Sequence, residues 1–359
     1  MIQPMATNFY PLKVTEKVFP IKDATTITFA LPKALEDTFH FLPGQHLVLQ
    51  LLIDGQQVRR SYSLCNCPLE KDKLQITVKR VQGGLVSNYI VDQIEAGDVI
   101  HVMPPQGRFK AEVQSEEYKT YYLFSAGSGI TPIYSILQMV LQQAPNSQVH
   151  LFYGNKDQDT IIFKKELEEW QVRYPNRLSV VHTLSMPKTW TSWTPWKGRK
   201  GRIDAAAIEW FINTYSPVAQ QTEYFICGPG AMNRSIKKSL LELGIPKTMI
   251  HIEQFGGAVK ADRNAVKVFP NAQLSASING QFIQLHIPEG KTILQTLKEA
   301  KAKPPYSCES GVCGTCVAQV VSGEVEMNNC MALSEEEVGK GEILTCQAVP
   351  ISEKVGIKF

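Results

Sequence analysis

Residues 304–320 read PPYSCESGVCGTCVAQV and place Cys308, Cys313 and Cys316 within nine residues. Thiols this close together suit disulfides, a zinc site or an iron–sulfur cluster. Disulfides are not expected, because the N-terminus has no basic stretch followed by an apolar run, and eight cysteines in 359 residues are too few for a disulfide-stapled scaffold. We therefore expect a cytoplasmic protein whose thiols are reduced or bound to metal.

The cysteine spacing favours one of these sites. The pattern is C-x4-C-x2-C, and Cys346 follows after 29 more residues in ILTCQAV, which is typical of a plant-type 2Fe-2S cluster held by four thiolates. Zinc usually takes two separated C-x2-C pairs, and only one is present. Gly311 and Gly314 suit a loop that wraps closely around a cluster. Cys330, in NNCMAL, is the alternative fourth ligand.

The length predicts two or three domains. Residues 1–115 have period-two runs such as Leu74, Ile76 and Val78, and Asp54-Gly55 lies between LQLLI and QQVRRSYSL as a hairpin turn does. Many short strands with such turns predict an antiparallel β-barrel or a β-sandwich.

Residues 116–257 alternate between strand-like and helix-like segments, starting with YYLFSAG, TPIYSILQMVLQQ and QVHLFYGN. This alternation predicts an α/β domain with a parallel sheet. Its stretch 120–155 contains no Asp, Glu, Lys or Arg, but glycines and prolines interrupt it, so we expect buried strands and a helix and no membrane span.

The polar, basic residues 258–265 predict a linker, and residues 266–359 predict a small α+β domain. Asn279-Gly280 marks a hairpin, TILQTLKEAKA follows as a helix, and the cysteine loop comes next. SEEEV predicts a helix start capped by Ser334. The net charge of +3 gives no argument for a nucleic-acid or membrane partner.

Two glycine turns follow apolar strands in the α/β region. FSAGSGITPI contains Gly127 and Gly129 but lacks the third glycine of the usual dinucleotide fingerprint, so alone it fits a plain strand-to-helix turn equally well. YFICGPGAM supplies Cys227-Gly228-Pro229. Open α/β sheets bind their ligands at the carboxyl ends of strands, where both turns are expected to lie.

The first domain contains two further candidate segments. RRSYSL sets Arg60 and Tyr62 on the same side of a strand, where a cation and an aromatic ring could serve one large ligand. VKRVQGGLVSNYI places Gly83-Gly84 and Ser87 at the start of a helix, which suits phosphate binding.

In this order, and followed by the cysteine pattern, these motifs resemble the ferredoxin-NADP reductase family with an appended plant-type ferredoxin domain. The whole chain is similar to reductase components of bacterial oxygenase systems, the phenylacetyl-CoA epoxidase type above all. The resemblance implies a flavin-binding β-barrel in residues 1–115, an NAD(P)-binding α/β domain in 116–257 and a β-grasp ferredoxin domain in 266–359. It also implies a path from NAD(P)H to FAD, to a 2Fe-2S cluster, and on to an oxygenase, a hydroxylase or a ferredoxin-like acceptor protein. FMN in place of FAD stays open.

The resemblance also implies residue roles. Tyr62 would pack on the flavin ring, Ser63 would approach it, and Cys227 would lie near the nicotinamide; these three are the candidate catalytic residues. Glu253 and Phe255, in IEQF, would lie at the flavin edge, although the chain continues past Phe255. The remaining candidates for binding flavin or nicotinamide nucleotide are Arg60, Lys79, Gly83, Gly84, Ser87, Gly127, Gly129, Thr131, Pro132, Gly228 and Pro229. The cluster ligands would be Cys308, Cys313, Cys316 and Cys346.

A flavin is the expected intermediary, because a nicotinamide gives up two electrons together and a 2Fe-2S cluster accepts one. Two alternatives stay open: a stand-alone diaphorase that reduces small acceptors, and a bare iron–sulfur electron carrier. Nucleotide preference is also open, since Lys156 would suit a 2′-phosphate and Asp157 a ribose diol, while the resemblance favours NADPH. We expect Trp190, Trp193 and Trp196 to form a packed loop and not an aromatic cage.

Overall fold

The computed structural model describes most of the chain, and every structural statement below concerns the residues that it describes. These are residues 9–188, 196–219, 221–255 and 269–359, except 308, 310, 312, 329, 331 and 334. They form two compact units, one built from residues 9–58 and 62–255 and the other containing 59–61 and 269–359. The predicted linker 258–265, Cys308, Trp190, Trp193 and Ser334 lie outside the described residues.

The first part of the chain is an antiparallel sheet of six strands in the order β4-β3-β6-β1-β2-β5. The two edge strands are β4 and β5, and Leu64, directly after β4, forms an antiparallel bridge to Ile76 in β5. The sheet therefore closes into the predicted barrel. Asp54 and Gly55 both have positive φ, at 50° and 75°, as the expected hairpin turn requires. Its elements are β1 (Tyr10–Ile21), β2 (Ala24–Ala30), β3 (His46–Ile53), β4 (Gln56–Ser63), β5 (Lys73–Lys79), α1 (Leu85–Gln93) and β6 (Val99–Gln106).

The second part is a parallel sheet of six strands in the order β10-β9-β8-β7-β11-β12, with helices in the crossovers. This confirms the α/β prediction. Its elements are β7 (Lys119–Ala126), α2 (Ile130–Gln143), β8 (Gln148–Asn155), α3 (Lys164–Arg173), β9 (Leu178–Leu184), β10 (Arg199–Lys200), α4 (Ala205–Thr214), β11 (Gln221–Cys227), α5 (Gly230–Glu242) and β12 (Ile250–Glu253).

The charge-free stretch 120–155 forms β7, α2 and β8. Helix α2 is buried along most of its length because it packs on the sheet and also against the segment that follows β4. There the Ser135 hydroxyl donates to the Asn66 carbonyl at 2.7 Å, and the Gln138 amide donates to the Cys65 carbonyl at 2.8 Å. No helix among the described residues is long and apolar enough to cross a membrane.

The C-terminal part is a five-stranded mixed sheet in the order β14-β13-β19-β15-β17, with a separate pair β16-β18. Asn279 and Gly280 form the predicted turn, with φ of 50° and 80°. Helix α6 starts at a capping box in which Thr292 and Gln295 bond reciprocally. Its elements are β13 (Ala272–Ile278), β14 (Gln281–Ile287), α6 (Ile293–Glu299), β15 (Val317–Ser322), β16 (Val325–Met327), α7 (Glu335–Gly339), β17 (Glu342–Leu344), β18 (Ala348–Pro350) and β19 (Lys354–Lys358).

Trp196 is the one member of the tryptophan trio among the described residues. Its indole Nε1 donates to the Arg199 carbonyl at 2.8 Å, and its ring packs, partly buried, on the core of the α/β region. Trp196 itself is therefore packed, and the packing of the other two tryptophans stays a prediction.

Candidate functional site

Three candidate residues from distant parts of the sequence come together at the ends of strands. Ser63 ends β4 and is buried, and its hydroxyl donates to Glu253 Oε2 at 3.4 Å. Glu253 ends β12, and the parallel pairing of β11 with β12 sets it beside Cys227. The barrel therefore contributes the serine to a group whose thiol and carboxyl come from the parallel sheet.

Burial controls the protonation of this group. It raises the pKa of the Glu253 carboxyl to about 8, although the hydrogen bond from Ser63 acts in the opposite direction. Burial, followed by the nearby Glu253, raises the pKa of the Cys227 thiol well above its ordinary value. Cys227 is therefore a neutral thiol, whereas Glu253 is a group that can bind or release a proton near neutral pH.

The two glycine turns touch each other. A Cβ on Gly129 would overlap the carbonyl oxygen of Cys227, so only glycine fits there. In the same turn Gly127 has φ +56°, and its carbonyl accepts a hydrogen bond from the Tyr153 hydroxyl at 3.0 Å. Thr131 donates to the Ser128 carbonyl at 3.0 Å. The sequence predicted both turns but not their direct contact.

Lys79 brings a positive charge to this edge of the sheet. Its Nζ would lie 3.8 Å from a Cβ built on Gly127. Burial lowers the pKa of Lys79, and the carboxylates of Asp23 and Asp157 oppose that shift. A partly desolvated ammonium beside a glycine turn suits an anionic ligand such as a pyrophosphate.

Some of the buried polar atoms that lack a hydrogen-bond partner in the structure lie at the same edge. They include Ser125 Oγ at the end of β7, Asn233 Oδ1 in the first turn of α5 and Gln254 Oε1 directly after β12. A buried polar atom left unpaired costs about 1–3 kcal/mol, so such atoms point to a ligand or water. They support the fit of a nucleotide along the carboxyl ends of these strands.

The barrel carries the other group of candidates. Arg60 is exposed and Tyr62 half-buried on β4, at alternating positions that share one side of the strand. Gly83 has φ +69°, and Gly84 precedes the first turn of α1 without a side-chain cap. The Ser87 hydroxyl accepts a hydrogen bond from the Val81 N–H at 3.1 Å, which braces this turn. The uncapped N–H groups suit a phosphate.

The segment after β8 bears on the choice of nucleotide. Asp157 is buried, and its carboxylate accepts a hydrogen bond from the Asp159 N–H at 3.2 Å as the cap of a short 3-10 turn. Lys156 is exposed. Asp157 thus has a structural role in this turn, and Lys156 is the residue presented to solvent.

The C-terminal part brings predicted cluster ligands together. Cys316 and Cys346 are buried in one apolar cluster, and their mutual hydrogen bond, followed by burial, raises the pKa of the Cys316 thiol. Cys313 is close enough to add to that shift. Among the described residues no three Cys, His, Asp or Glu side chains complete a metal site, and Cys308 lies outside them. The adjacent thiols of Cys316 and Cys346 fit the predicted metal cluster, and Cys308 stays a predicted ligand.

Cys330, the alternative ligand, lies at the margin of the same cluster. It is half-exposed and packs against the apolar group around Cys316 and Cys346. Burial raises the pKa of its thiol, and Glu337 and Cys346 add to the shift. Cys330 and Cys346 therefore both lie near Cys316 of the cysteine loop.

Family models match the three parts in order. An oxidoreductase FAD-binding domain matches residues 11–111, an oxidoreductase NAD-binding domain matches 123–238, and a 2Fe-2S iron-sulfur cluster binding domain matches 276–350. The chain is 34% identical over 355 residues to one of the subunits of 1,2-phenylacetyl-CoA epoxidase from Escherichia coli K12, covering 98% of both chains. The chain belongs to the ferredoxin-NADP reductase family. It is a member with FAD-binding, NAD-binding and 2Fe-2S domains, and it is an oxidoreductase.

Further relatives match this chain over nearly its whole length. The ferredoxin reductase component of 3-ketosteroid-9-alpha-monooxygenase from Rhodococcus rhodochrous is 34% identical over 365 residues, covering 99% of this chain and 98% of the relative. The solved structure of phthalate dioxygenase reductase matches with a TM-score of 0.59 and 24% identity over 98% of both chains. At that identity the structural match supports the fold alone.

Proposed function

We propose that this chain is the cytoplasmic reductase component of an oxygenase system of the phenylacetyl-CoA epoxidase type. The observation that carries the proposal is the full-length similarity, through all three domains, to two proteins named as components of an epoxidase and a monooxygenase. The acceptor would be the oxygenase or hydroxylase component, or a ferredoxin-like protein.

The flavin would lie against the barrel. Tyr62 offers a ring for the isoalloxazine, Arg60 a cation for the flavin phosphate, and Gly83, Gly84 and Ser87 the turn for the pyrophosphate. The fit rests on the uncapped first turn of α1 and on the glycine with positive φ. A bound flavin accepts two electrons as hydride and releases them singly.

The nicotinamide nucleotide would lie along the two touching glycine turns. Its phosphates would be held by Lys79 together with Gly127, Gly129, Thr131 and Pro132. The nicotinamide would be bordered by Cys227, Gly228 and Pro229, and Phe255 would lie at the flavin edge. The neutral Cys227 thiol adds no charge beside the ring, while Glu253 and Ser63 can hold a proton at that edge. NADPH is the proposed donor, since Asp157 is committed to its turn and Lys156 is exposed.

Electrons would leave through the C-terminal domain, with Cys308, Cys313, Cys316 and Cys346 as cluster ligands. The support for these ligands is the burial and mutual hydrogen bonding of Cys316 and Cys346. The role of the protein is to hold thiolates in a dry pocket and to exclude solvent from them.

An anaerobic titration tests this function. Separate samples of the purified protein are titrated with NADPH and with NADH while the visible spectrum is recorded. The flavin is then released and identified by chromatography. We expect the flavin and cluster bands to bleach together, at lower concentration with NADPH. A colourless protein, or a flavin that is reduced while the cluster bands persist, contradicts the relay.

Reconstitution separates the alternatives. An oxygenase component that turns over only when this chain is added supports the proposed partner. Rapid reduction of quinones or ferric chelates without any oxygenase turnover favours a diaphorase. Protein that contains iron and sulfide but no flavin favours an electron carrier.

A further inference from the structure

The side chain of Gln347 links the two segments that carry the predicted cluster ligands. It is 7% exposed, and its Nε2 donates to the Glu309 carbonyl at 3.1 Å and to the Cys346 carbonyl at 3.0 Å. The same Nε2 lies 3.6 Å from Cys346 Sγ, within hydrogen-bonding distance for sulfur. One amide group thus contacts both the cysteine loop and the last ligand.

The backbone around this amide is fixed on both sides. The Gln347 N–H donates to the Leu344 carbonyl at 2.8 Å, and its carbonyl accepts from the Asn328 N–H at 3.1 Å. Glu309 has φ +53°, a left-handed conformation that a non-glycine residue adopts only where its surroundings hold it. The amide of Gln347 supplies one such restraint on the cysteine loop.

Chemistry fixes the direction of the amide. Both close neighbours are carbonyl oxygens, which only accept hydrogen bonds, so the NH2 group and not the amide oxygen must face them. The NH2 group has two hydrogens for three acceptors. When the Cys346 sulfur carries thiolate charge, it becomes the acceptor with the greatest attraction for one of them, since charge-assisted hydrogen bonds are the stronger ones.

We propose that Gln347 is a positioning residue that ties Cys346 to the cysteine loop and donates an N–H hydrogen bond to its sulfur, thereby raising the reduction potential of the cluster. The proposal rests on the proposed function, because it assumes that Cys346 is a ligand. Hydrogen bonds to cluster sulfurs favour the reduced, more negative state, so they raise the potential. Gln347 would thus set how readily the cluster accepts an electron from the flavin.

The test compares Gln347→Met with Gln319→Met in the full-length, cluster-loaded protein. Methionine keeps the length of the side chain and removes both donors. Gln319 is a matched control, because its exposed amide also donates to a backbone carbonyl, that of Lys340 at 2.7 Å, and no contact with a cysteine sulfur is seen for it in the described structure. The readouts are the midpoint potential of the cluster and the rate at which a chelator removes its iron.

We expect the Gln347→Met potential to fall enough to change the one-electron equilibrium about tenfold, which is about 59 mV. We also expect faster iron loss, while Gln319→Met matches the wild type in both readouts. If Gln347→Met matches the wild type in both, the proposal is wrong.

A measurement on the wild-type chain does not depend on the folding of a variant. Pulsed EPR of the reduced protein, labelled with 15N in glutamine side chains, should detect a coupled amide nitrogen in the wild type and in Gln319→Met but not in Gln347→Met. Absence of a coupled side-chain nitrogen in the wild type overturns the inference. Absence of any cluster signal from the wild type instead overturns the proposed function.

Discussion

Gly129 faces the carbonyl oxygen of Cys227 so closely that any side chain at Gly129 would overlap it. The two residues belong to the turns after β7 and β11, which are neighbouring parallel strands. This contact fixes the spacing of the two turns along which we place the nucleotide. A side chain at Gly129 therefore requires at least one of the two turns to move.

Replacing Gly129 by alanine should disturb both stability and nucleotide binding. We expect a loss of about 1–3 kcal/mol in the free energy of unfolding, since backbone atoms cannot yield as a flexible side chain does. Urea unfolding and the rate of flavin reduction by NADPH measure the two effects. Gly154→Ala is the control, because a Cβ there meets Ile203 at an ordinary 3.5 Å. Equal behaviour of the two variants would contradict the prediction.

Glu253→Gln should change how stability depends on pH. The pKa of Glu253 is raised to about 8 from an ordinary 4.5, so between these values the folded chain holds a proton that the unfolded chain has released. This carboxyl therefore makes stability fall as pH rises through that window, by at most about 1.4 kcal/mol per pH unit. The glutamine variant lacks this contribution.

Urea unfolding from pH 5 to pH 8 tests the sign. The stability of Glu253→Gln relative to the wild type should increase with pH. Ser63→Ala provides the matched comparison, because it removes the hydrogen bond that lowers the pKa of Glu253 and should extend the window upward. A constant difference between Glu253→Gln and the wild type at every pH would show that Glu253 is ionised throughout.

Lys79→Met should weaken nucleotide binding more than turnover. The variant loses a partly buried ammonium beside Gly127 and with it a charge-assisted contact to the nucleotide phosphates. We therefore expect the KM for NADPH to rise about tenfold while kcat changes little. Lys73→Met on the same strand is the control, since its ammonium pairs with Glu70 at the surface. Steady-state kinetics at two salt concentrations measure both variants. If the KM of Lys79→Met for NADPH equals that of Lys73→Met, Lys79 does not bind the nucleotide.

Local chemistry made part of this architecture predictable. Asp54-Gly55 and Asn279-Gly280 form their turns because Asp, Asn and Gly tolerate the positive φ that a two-residue hairpin turn requires. The alternation of apolar segments similarly predicted the parallel sheet. The residues that determine these turns and segments are close together in the sequence, so the sequence alone predicts them.

Other features depend on residues that are distant in sequence. The contact of Gly129 with Cys227, the raised pKa of Glu253 beside Ser63 and the link from Gln347 to Glu309 each arise only after strands are assembled. A motif can name such residues, as family resemblance did for Ser63 and Glu253, but it contains no distance or degree of burial. Gln347 had no signal except its place after Cys346.

Cys346 and Cys330 are the two candidates for the fourth cluster ligand. Cys346 is buried and hydrogen-bonded with Cys316, whereas Cys330 is half-exposed at the margin of the same apolar cluster. We therefore expect Cys346→Ser to lose the cluster absorption and the transfer of electrons to a protein acceptor, while NADPH still reduces the flavin. Cys330→Ser, which makes the same atomic change nearby, should keep the cluster. Iron and sulfide analysis and visible spectra of both variants show which cysteine holds the cluster, because only the true ligand is required to hold the iron. Loss of the cluster in Cys330→Ser but not in Cys346→Ser would assign the fourth ligand to Cys330.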